Sequence, residues 1–329
     1  MKIKAWAVTR IGEPSDVLKI IEAEEPALKS GDVGIETHAV GLNFLDAMAC
    51  RGSYPWNPEP PFIPCAELVG EVYAVNDVDN IKVGQRVVAM IPAAYGALSE
   101  RCVVPAQYVF PLEPGISDEL AAALLVTHQT AWFALKRAKL QAGEMVLIQG
   151  GAGGVGTAAI QLCKIKGATV IATASTEAKL EVCRQQGADH AINYRSPDFV
   201  DEVMTYTLGQ GVDVVLDQVG GSATGHLLAS LALEGRLVSI GWASGEAPSI
   251  DVQQLVMKNI SVMGLSWGST YPTQQPERVQ QAHSFMQEQV LNGRLNPLIY
   301  KIASFDQASE MIQALATGQT VGKVVVRIR

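Results

Sequence analysis

Over the first third of the chain, apolar and polar residues alternate in short runs separated by turn residues: DVGIETHAVGL (32–42), ELVGEVYAV (67–75), QRVVAMI (85–91) and RCVVPAQYVF (101–110). A two-residue period turns one face of each run toward a core and predicts a β-rich, partly barrel-like lobe. YPWNPEPPFIP (54–64) interrupts the pattern, and its five prolines exclude helix and central strand, because they lack amide donors and fix φ. An ordered loop at a rim is expected there. After Gly115 the period lengthens. SDELAAALLVTHQTAWFALKRAKL (117–140) has helical spacing, with Ser117 as N-cap and Asp118 and Glu119 as first-turn acids, and predicts a helical bridge between domains.

From Met145 onward the apolar runs MVLIQ, TVIATA, AINY, VDVVLD, RLVSIG and ISVMGL alternate with helical stretches at 154–166, 176–186, 197–207 and 221–233. Short apolar strands joined by helices predict an α/β fold, a doubly wound parallel sheet of six strands. Helices are expected at 276–292 and 305–317, and KVVVRI (323–328) as a strand that returns to the first lobe. The domain reading is therefore 1–125 together with 268–329, and 126–267.

Composition narrows the class. With 329 residues, 48% hydrophobic and 18% charged, the chain is not disordered or of low complexity. Single cores stop growing at about 250–300 residues, so two domains are the default. A net charge of −8 and a pI near 5.2 argue against nucleic acid or anionic membrane as partner. No run approaches the roughly 18 apolar residues of a membrane span, and MKIKAWAVTR lacks the apolar core of a secretion signal, so a cytoplasmic location is expected. Cys50, Cys65, Cys102, Cys163 and Cys183 contain no CxxC pair, which indicates reduced thiols rather than disulfides or a zinc knuckle.

The sharpest motif is VLIQGGAGGVGTAAIQLCKIKGA (146–168). Gly151, Gly153 and Gly156 form GxGxxG directly after a strand, with Gly154 and Val155 opening a helix. The spacing calls for a tight turn at Gly151, close approach of backbone to a pyrophosphate at Gly153, and close helix–sheet packing at Gly156. An NAD-preferring site carries an acid at the tip of the second strand, about 20 residues on. Here the tip reads Thr173, Ala174, Ser175, with Lys179 one helical turn beyond. That pattern suits the 2′-phosphate of NADPH. Two features leave alternatives open: Glu177 is an acid in the same first turn, and a helix lysine such as Lys179 is often simply solvated.

These residues, with IGEPSDVLKI (11–20), GLNFLDAMACRGSYP (41–55), GQRVVAM (84–90), QTAWFAL (129–135), GADHAINYR (187–195), DVVLDQVGG (213–221) and GKVVV (322–326), resemble the zinc-independent quinone oxidoreductase and ζ-crystallin branch of the medium-chain dehydrogenase/reductase superfamily. The resemblance spans essentially the whole chain. It implies a GroES-like catalytic domain beside a Rossmann dinucleotide-binding domain, and a homodimer formed through the last Rossmann strands. Zinc alcohol dehydrogenases of the superfamily have Cys where Asn43 stands and His where Ala66 stands, so no metal is expected. The lobe that holds their structural zinc is reduced here to PAAYGALSE (92–100).

Without a Lewis acid, the expected reaction is hydride transfer from NADPH to a quinone or an activated C=C bond of an α,β-unsaturated carbonyl. The resemblance places Asn43 beside the nicotinamide ribose and reacting carbons, and Thr130 near the nicotinamide. It assigns Lys179 and Tyr194 to the adenosine phosphate, with Ser175 at the strand tip. Val219, Ile240, Gly241, Leu265 and Ser266 line the cofactor, and Lys323 is a further candidate. Tyr54 borders the substrate cleft and is the side chain named as proton donor, with water as the other source. Asn43 also reads as a loop-capping amide, and Tyr54 as a packed ring. Met48 replaces a second cleft tyrosine, which favours aliphatic enones. Two alternatives stand beside this function: an enoyl-thioester reductase of the same superfamily, and a non-catalytic NADPH-binding protein of the crystallin or RNA-binding kind.

Overall fold

A computed structural model describes residues 1–55, 57–91 and 96–329. Trp56 of the proline-rich loop and residues 92–95 of PAAYGALSE therefore lie outside the described residues. The chain divides into two compact units, Met1–Gln129 with Gly268–Arg329, and Thr130–Trp267.

The first unit contains β1 (Lys2–Val8), α1 (Pro14–Val17), β2 (Leu18–Glu24), β3 (Asp32–Leu42), α2 (Phe44–Cys50), β4 (Glu67–Val75), β5 (Arg86–Met90), β6 (Arg101–Pro105), β7 (Val109–Pro111) and α3 (Asp118–Ala122). Next, α4 (Leu125–Arg137) carries the chain into the second unit. That unit runs β8 (Met145–Ile148), α5 (Gly154–Ile165), β9 (Thr169–Ala174), α6 (Glu177–Gln185), β10 (His190–Asn193), α7 (Phe199–Tyr206), β11 (Val212–Asp217), α8 (Ala223–Ala229), β12 (Leu231–Ser239), α9 (Val252–Lys258) and β13 (Ser261–Gly264). The return to the first unit comprises α10 (Trp267–Gln274), α11 (Pro276–Leu291), β14 (Ile299–Ser304), α12 (Ala308–Ala316) and β15 (Lys323–Arg327).

In the first unit the hairpin β1–β2 accompanies a seven-stranded sheet ordered β14-β15-β3-β4-β5-β7, with β6 also pairing β3. Val324, Val325 and Val326 of β15 are fully buried and pair antiparallel with Leu42, Gly41 and Val40 of β3. β-Branched side chains suit a strand buried on both faces. This pairing brings Lys323 to the end of β3, as the expected return of the strand requires.

The second unit is a six-stranded parallel sheet, β10-β9-β8-β11-β12-β13. The chain starts at β8, winds outward to β10, then resumes on the other side at β11, so the winding direction reverses at β8. Ligands of such sheets bind beyond the carboxyl ends of the strands at that reversal. Leu147, Ile171, Val215 and Leu237 from the strands pack with Phe199, Val203, Leu227 and Leu228 from the helices as its core.

Several elements differ from the sequence reading. The single helix expected over 117–140 is two, α3 and α4, capped at its start by Ser117, whose side chain accepts from the Leu120 amide. The break falls where the buried Glu67 carboxylate takes the Val126 amide at 2.8 Å and so starts a new helix. The helix expected to reach 233 ends at Ala229, because β12 begins at Leu231 beside Val212. Elements α9, α10 and β14 had no sequence signal, and α10 carries Pro272 within it. Among the described residues no helix is long and apolar enough to cross a membrane.

Candidate active site

The glycine loop joins β8 to α5, and the geometry sorts its glycines. In the turn expected at Gly151, the left-handed residue is its neighbour Gly150, at φ 68°. Gly151 is instead required by crowding, since a Cβ there would meet Ala172 Cβ at 2.8 Å and Cys183 Sγ at 2.9 Å. At Gly156 a Cβ would lie 2.3 Å from the Gly150 carbonyl oxygen, which closes helix onto loop. Gly153 has room by comparison: its nearest neighbour would be that same oxygen, at 3.4 Å. Gly153 is the N-cap of α5, so the amides of Gly154, Val155 and Gly156 belong to the first turn, where a helix has no internal acceptors for them. An open, donor-rich helix start is what a pyrophosphate requires.

Buried polar residues beneath the loop hold this shape, and the sequence reading missed them. Thr173 donates to Gln149 Oε1 at 2.6 Å and accepts from the Gly150 amide at 3.3 Å. Gln218 Nε2 donates to the Gln149 carbonyl at 2.8 Å. The Asp217 carboxylate accepts from the Val219 and Gly220 amides, both at 2.9 Å, and from Thr224 Oγ1 at 2.7 Å, which fixes the loop carrying Val219. The only hint was that Asp217 ends an apolar strand just before two glycines.

The structure gathers the expected cofactor residues of this unit along one sheet edge. Gly151 to Gly156 follow β8, Ser175 follows β9, Tyr194 follows β10, Val219 follows β11, Ile240 and Gly241 follow β12, and Leu265 and Ser266 follow β13. In a parallel sheet these are all carboxyl ends. The Tyr194 amide donates to the Ala174 carbonyl at 3.2 Å, next to Ser175, and Lys179 sits in the first turn of α6 after its cap Thr176. The acid that clouded the sequence reading, Glu177, pairs with Arg184 at 2.7 Å. The remaining residue of this unit, Thr130, lies on α4.

In the first unit, Asn43 is the N-cap of α2 and is buried. Its amide nitrogen donates to the Gly41 carbonyl at 3.2 Å and to Glu67 Oε1 at 2.9 Å, and its Oδ1 accepts from Lys323 at 2.8 Å. With both N–H groups committed, Asn43 can offer a ligand only a lone pair of Oδ1. Lys323, expected among the cofactor contacts, is corrected by the same accounting. It is 2% exposed, and its three donors go to Leu42 O at 2.7 Å, Asn43 Oδ1 and Glu67 Oε1 at 2.6 Å.

A further acid and a phenol lie close by. Asp46, fully buried, accepts from the Asn43 amide at 2.7 Å, and burial raises its carboxyl to about 7. Tyr54 is half-buried; desolvation, and then the charge of Asp46, push its phenol up, so it stays protonated at neutral pH. Met48 is half-buried on α2.

The zinc site of metal-dependent relatives does not fit this donor set. Burial and the charge of Asp46 hold the Cys65 thiol well above its ordinary value, and both Glu67 oxygens are already engaged. Among the described residues no three His, Cys, Asp or Glu side chains form a group that could hold a metal. His128 and His283 are buried and held neutral, at about 3 and about 4, chiefly by desolvation.

Residues 29–114 match the alcohol dehydrogenase GroES-like domain and residues 154–288 the zinc-binding dehydrogenase family. A quinone oxidoreductase-like protein 2 homolog from Nematostella vectensis is 32% identical over 99% of this chain and 89% of its own length. The chain belongs to the quinone oxidoreductase family of the medium-chain dehydrogenase/reductase superfamily. Among solved members, Escherichia coli quinone oxidoreductase complexed with NADPH superposes with a TM-score of 0.91 at 28% identity, covering 99% of this chain and all of that one. The enoyl reductase CurK superposes with a TM-score of 0.87 at 30% identity over 99% of both chains. Family membership thus agrees with the fold and the glycine loop. It leaves open which activated acceptor a member reduces.

Proposed function

We propose that this protein is an NADPH-dependent, metal-free reductase of quinones or α,β-unsaturated carbonyls. The observation that carries the reading is the carboxyl edge of the six-stranded sheet. It combines an open glycine loop at a helix start with Ser175, Lys179 and Tyr194, while the nearest acid, Glu177, pairs with Arg184. A tip that carries a lysine and whose acid is already paired accepts a 2′-phosphate that an unpaired carboxylate would repel.

Bound there, NADPH would supply a hydride from its nicotinamide ring. Gly153 and the first amides of α5 would hold the pyrophosphate, and Val219, Ile240, Gly241, Leu265 and Ser266 would flank the dinucleotide. Thr130 and Asn43 would meet the nicotinamide end, Asn43 as an acceptor for a ribose hydroxyl because its donors are taken. Tyr54, kept protonated by its surroundings, would donate a hydrogen bond to the acceptor oxygen as charge develops on it. An acceptor whose carbon is already electrophilic needs no more polarisation than that. The poor fit of Cys65 and Glu67 to zinc supports the same chemistry.

Two further readings belong to this proposal. The β13 edge of the sheet, with Val252, Val256 and Met257 of α9 exposed near it in sequence, supports a homodimer through this unit. The superposition on an enoyl reductase favours enoyl thioesters as the rival substrate class. NADPH oxidation against 1,4-benzoquinone, 2-alkenals, 2-alkenones and enoyl-coenzyme A thioesters tests the substrate class, and sedimentation of the protein tests the homodimer. Turnover of small quinones or enones, with the thioesters inert, is the expected result. Exclusive use of thioesters would hand the assignment to the rival, and tight NADPH binding with no oxidation at all would make the protein a non-catalytic binder.

A further inference from the structure

Glu67 stands at the junction of four chain segments, and every polar atom of its carboxylate is engaged. Oε1 accepts from Asn43 Nδ2 at 2.9 Å and Lys323 Nζ at 2.6 Å, while Oε2 accepts from the Val126 amide at 2.8 Å. The side chain is 0% exposed. A carboxylate with no free lone-pair direction toward solvent is poorly placed to shuttle protons or bind a ligand. What it does is hold other groups in place.

Two of the held groups begin helices on which the nicotinamide contacts are expected. Asn43 caps α2. Val126 lies in the first turn of α4, and Thr130 follows it at i+4 on the same helical face. The Lys323 ammonium completes the clamp, since it donates to Asn43 Oδ1 and so fixes the amide orientation in which Oδ1 faces the ammonium and Nδ2 faces Glu67. Gly41 makes room for the carboxylate: a Cβ there would meet Glu67 Oε1 at 2.7 Å and the Ala122 carbonyl oxygen at 2.1 Å. A fully buried ion pair contributes little net stability compared with apolar residues of the same volume. Its value here is geometric.

We propose that Glu67, locked by Lys323, is a positioning residue that sets Asn43 and the start of α4 for the nicotinamide end of the cofactor. The inference rests on the reading that NADPH binds with its nicotinamide at Asn43 and Thr130. The pair E67Q/K323M tests it, because Gln and Met keep the volumes while removing both charges together, so neither is left buried alone. Thermal melting reports folding, fluorescence titration gives the dissociation constant for NADPH, the emission of bound NADPH reports the nicotinamide environment, and single-turnover reduction of a small enone gives the hydride rate.

The expected result is a folded protein whose NADPH dissociation constant stays within about threefold of native, because the pyrophosphate and 2′-phosphate contacts are untouched. Its bound-nicotinamide emission differs from native and its hydride rate falls by about tenfold or more. Native emission and native rate in the folded variant would overturn the proposal, as would a loss of affinity equal to the loss of rate. If the double variant does not fold, Glu67→Gln alone is held to the same criteria, and failure of both to fold assigns the pair to stability only and overturns it too. Should the native protein bind NADPH yet reduce no acceptor, the functional reading falls while the emission comparison still decides the positioning claim.

Discussion

The glycine loop of the second unit and the Asn43 cluster of the first, proposed for the pyrophosphate end and the nicotinamide end of a cofactor, are built on opposite principles. At the loop the work is done by missing side chains: three glycines admit a close turn, and the first amides of α5 are left without internal acceptors. At the Asn43 cluster it is done by buried charge, with Lys323, Glu67 and Asp46 all nearly sealed from solvent around Asn43. A backbone site tolerates changes around it but no added atoms. A buried charged site tolerates isosteric neutral replacement in pairs and punishes single removals. That contrast makes the two regions separable by mutation.

The largest expected effect is at the charged end. Lys323→Met should destabilise the protein by about 3–5 kcal/mol, because Glu67 is left buried without its counter-charge, and E67Q/K323M should recover most of it. Chemical denaturation checks this, and a single variant as stable as the double one would break the contrast. Next comes the backbone end. Gly156→Ala, whose Cβ would press on the Gly150 carbonyl oxygen, should cost about 1–3 kcal/mol and weaken NADPH binding, and no partner substitution should restore it. Calorimetric titration with NADPH measures the binding loss, and unchanged affinity would mean the loop is wider than described.

A smaller effect sharpens the cofactor preference within the backbone end. Lys179→Ala should raise the Michaelis constant for NADPH about tenfold while leaving that for NADH nearly unchanged, since one charge-assisted contact to phosphate is removed. Steady-state kinetics with both coenzymes decide it, and equal changes would remove the phosphate assignment.

The smallest effect concerns pH. Folded His128 and His283 stay neutral down to about 3 and about 4, whereas unfolded histidines protonate near 6.5, so the unfolded chain binds more protons below that value and these groups lower stability as pH falls toward 4. Asp46, raised to about 7, binds its proton in the folded state across the same window and partly offsets them. Neither ring nitrogen of His283 has a hydrogen-bond partner among the described residues. His283→Leu should therefore raise the melting temperature slightly, and more at pH 5 than at pH 8. An equal change at both values would assign the effect to packing alone.

Legibility in the sequence follows the same division. GxGxxG after an apolar strand is local, so the loop and the six strands could be read from spacing, whereas the residues at the other strand ends came from the family resemblance. Even in the loop, the crowding that requires Gly151 left no mark in the spacing, because Ala172 and Cys183 come from another strand and another helix. The helix break at residues 123–124 had no local cause, since Glu67 lies 59 positions from Val126. Lys323 and Asn43 are 280 positions apart, and no periodicity relates them. Asn43 was singled out only because its position in the superfamily carries a metal ligand, and Lys323 was given a ligand contact when its ammonium faces inward. Long-range charge pairing is invisible to any window that reads neighbours.

The first unit is interrupted by the whole of residues 130–267 before β15 supplies Lys323. During synthesis, the segment bearing Asn43 and Glu67 must wait, its acid still hydrated, until that intervening sheet has emerged and the valine-rich strand can slot beside β3. The Rossmann half is contiguous and can mature first. Order of assembly is thus written into the chain: the six-stranded sheet comes before the lobe that holds Asn43 and Glu67. Limited proteolysis of stalled chains ending before residue 323 should find the later half resistant and the earlier one digested.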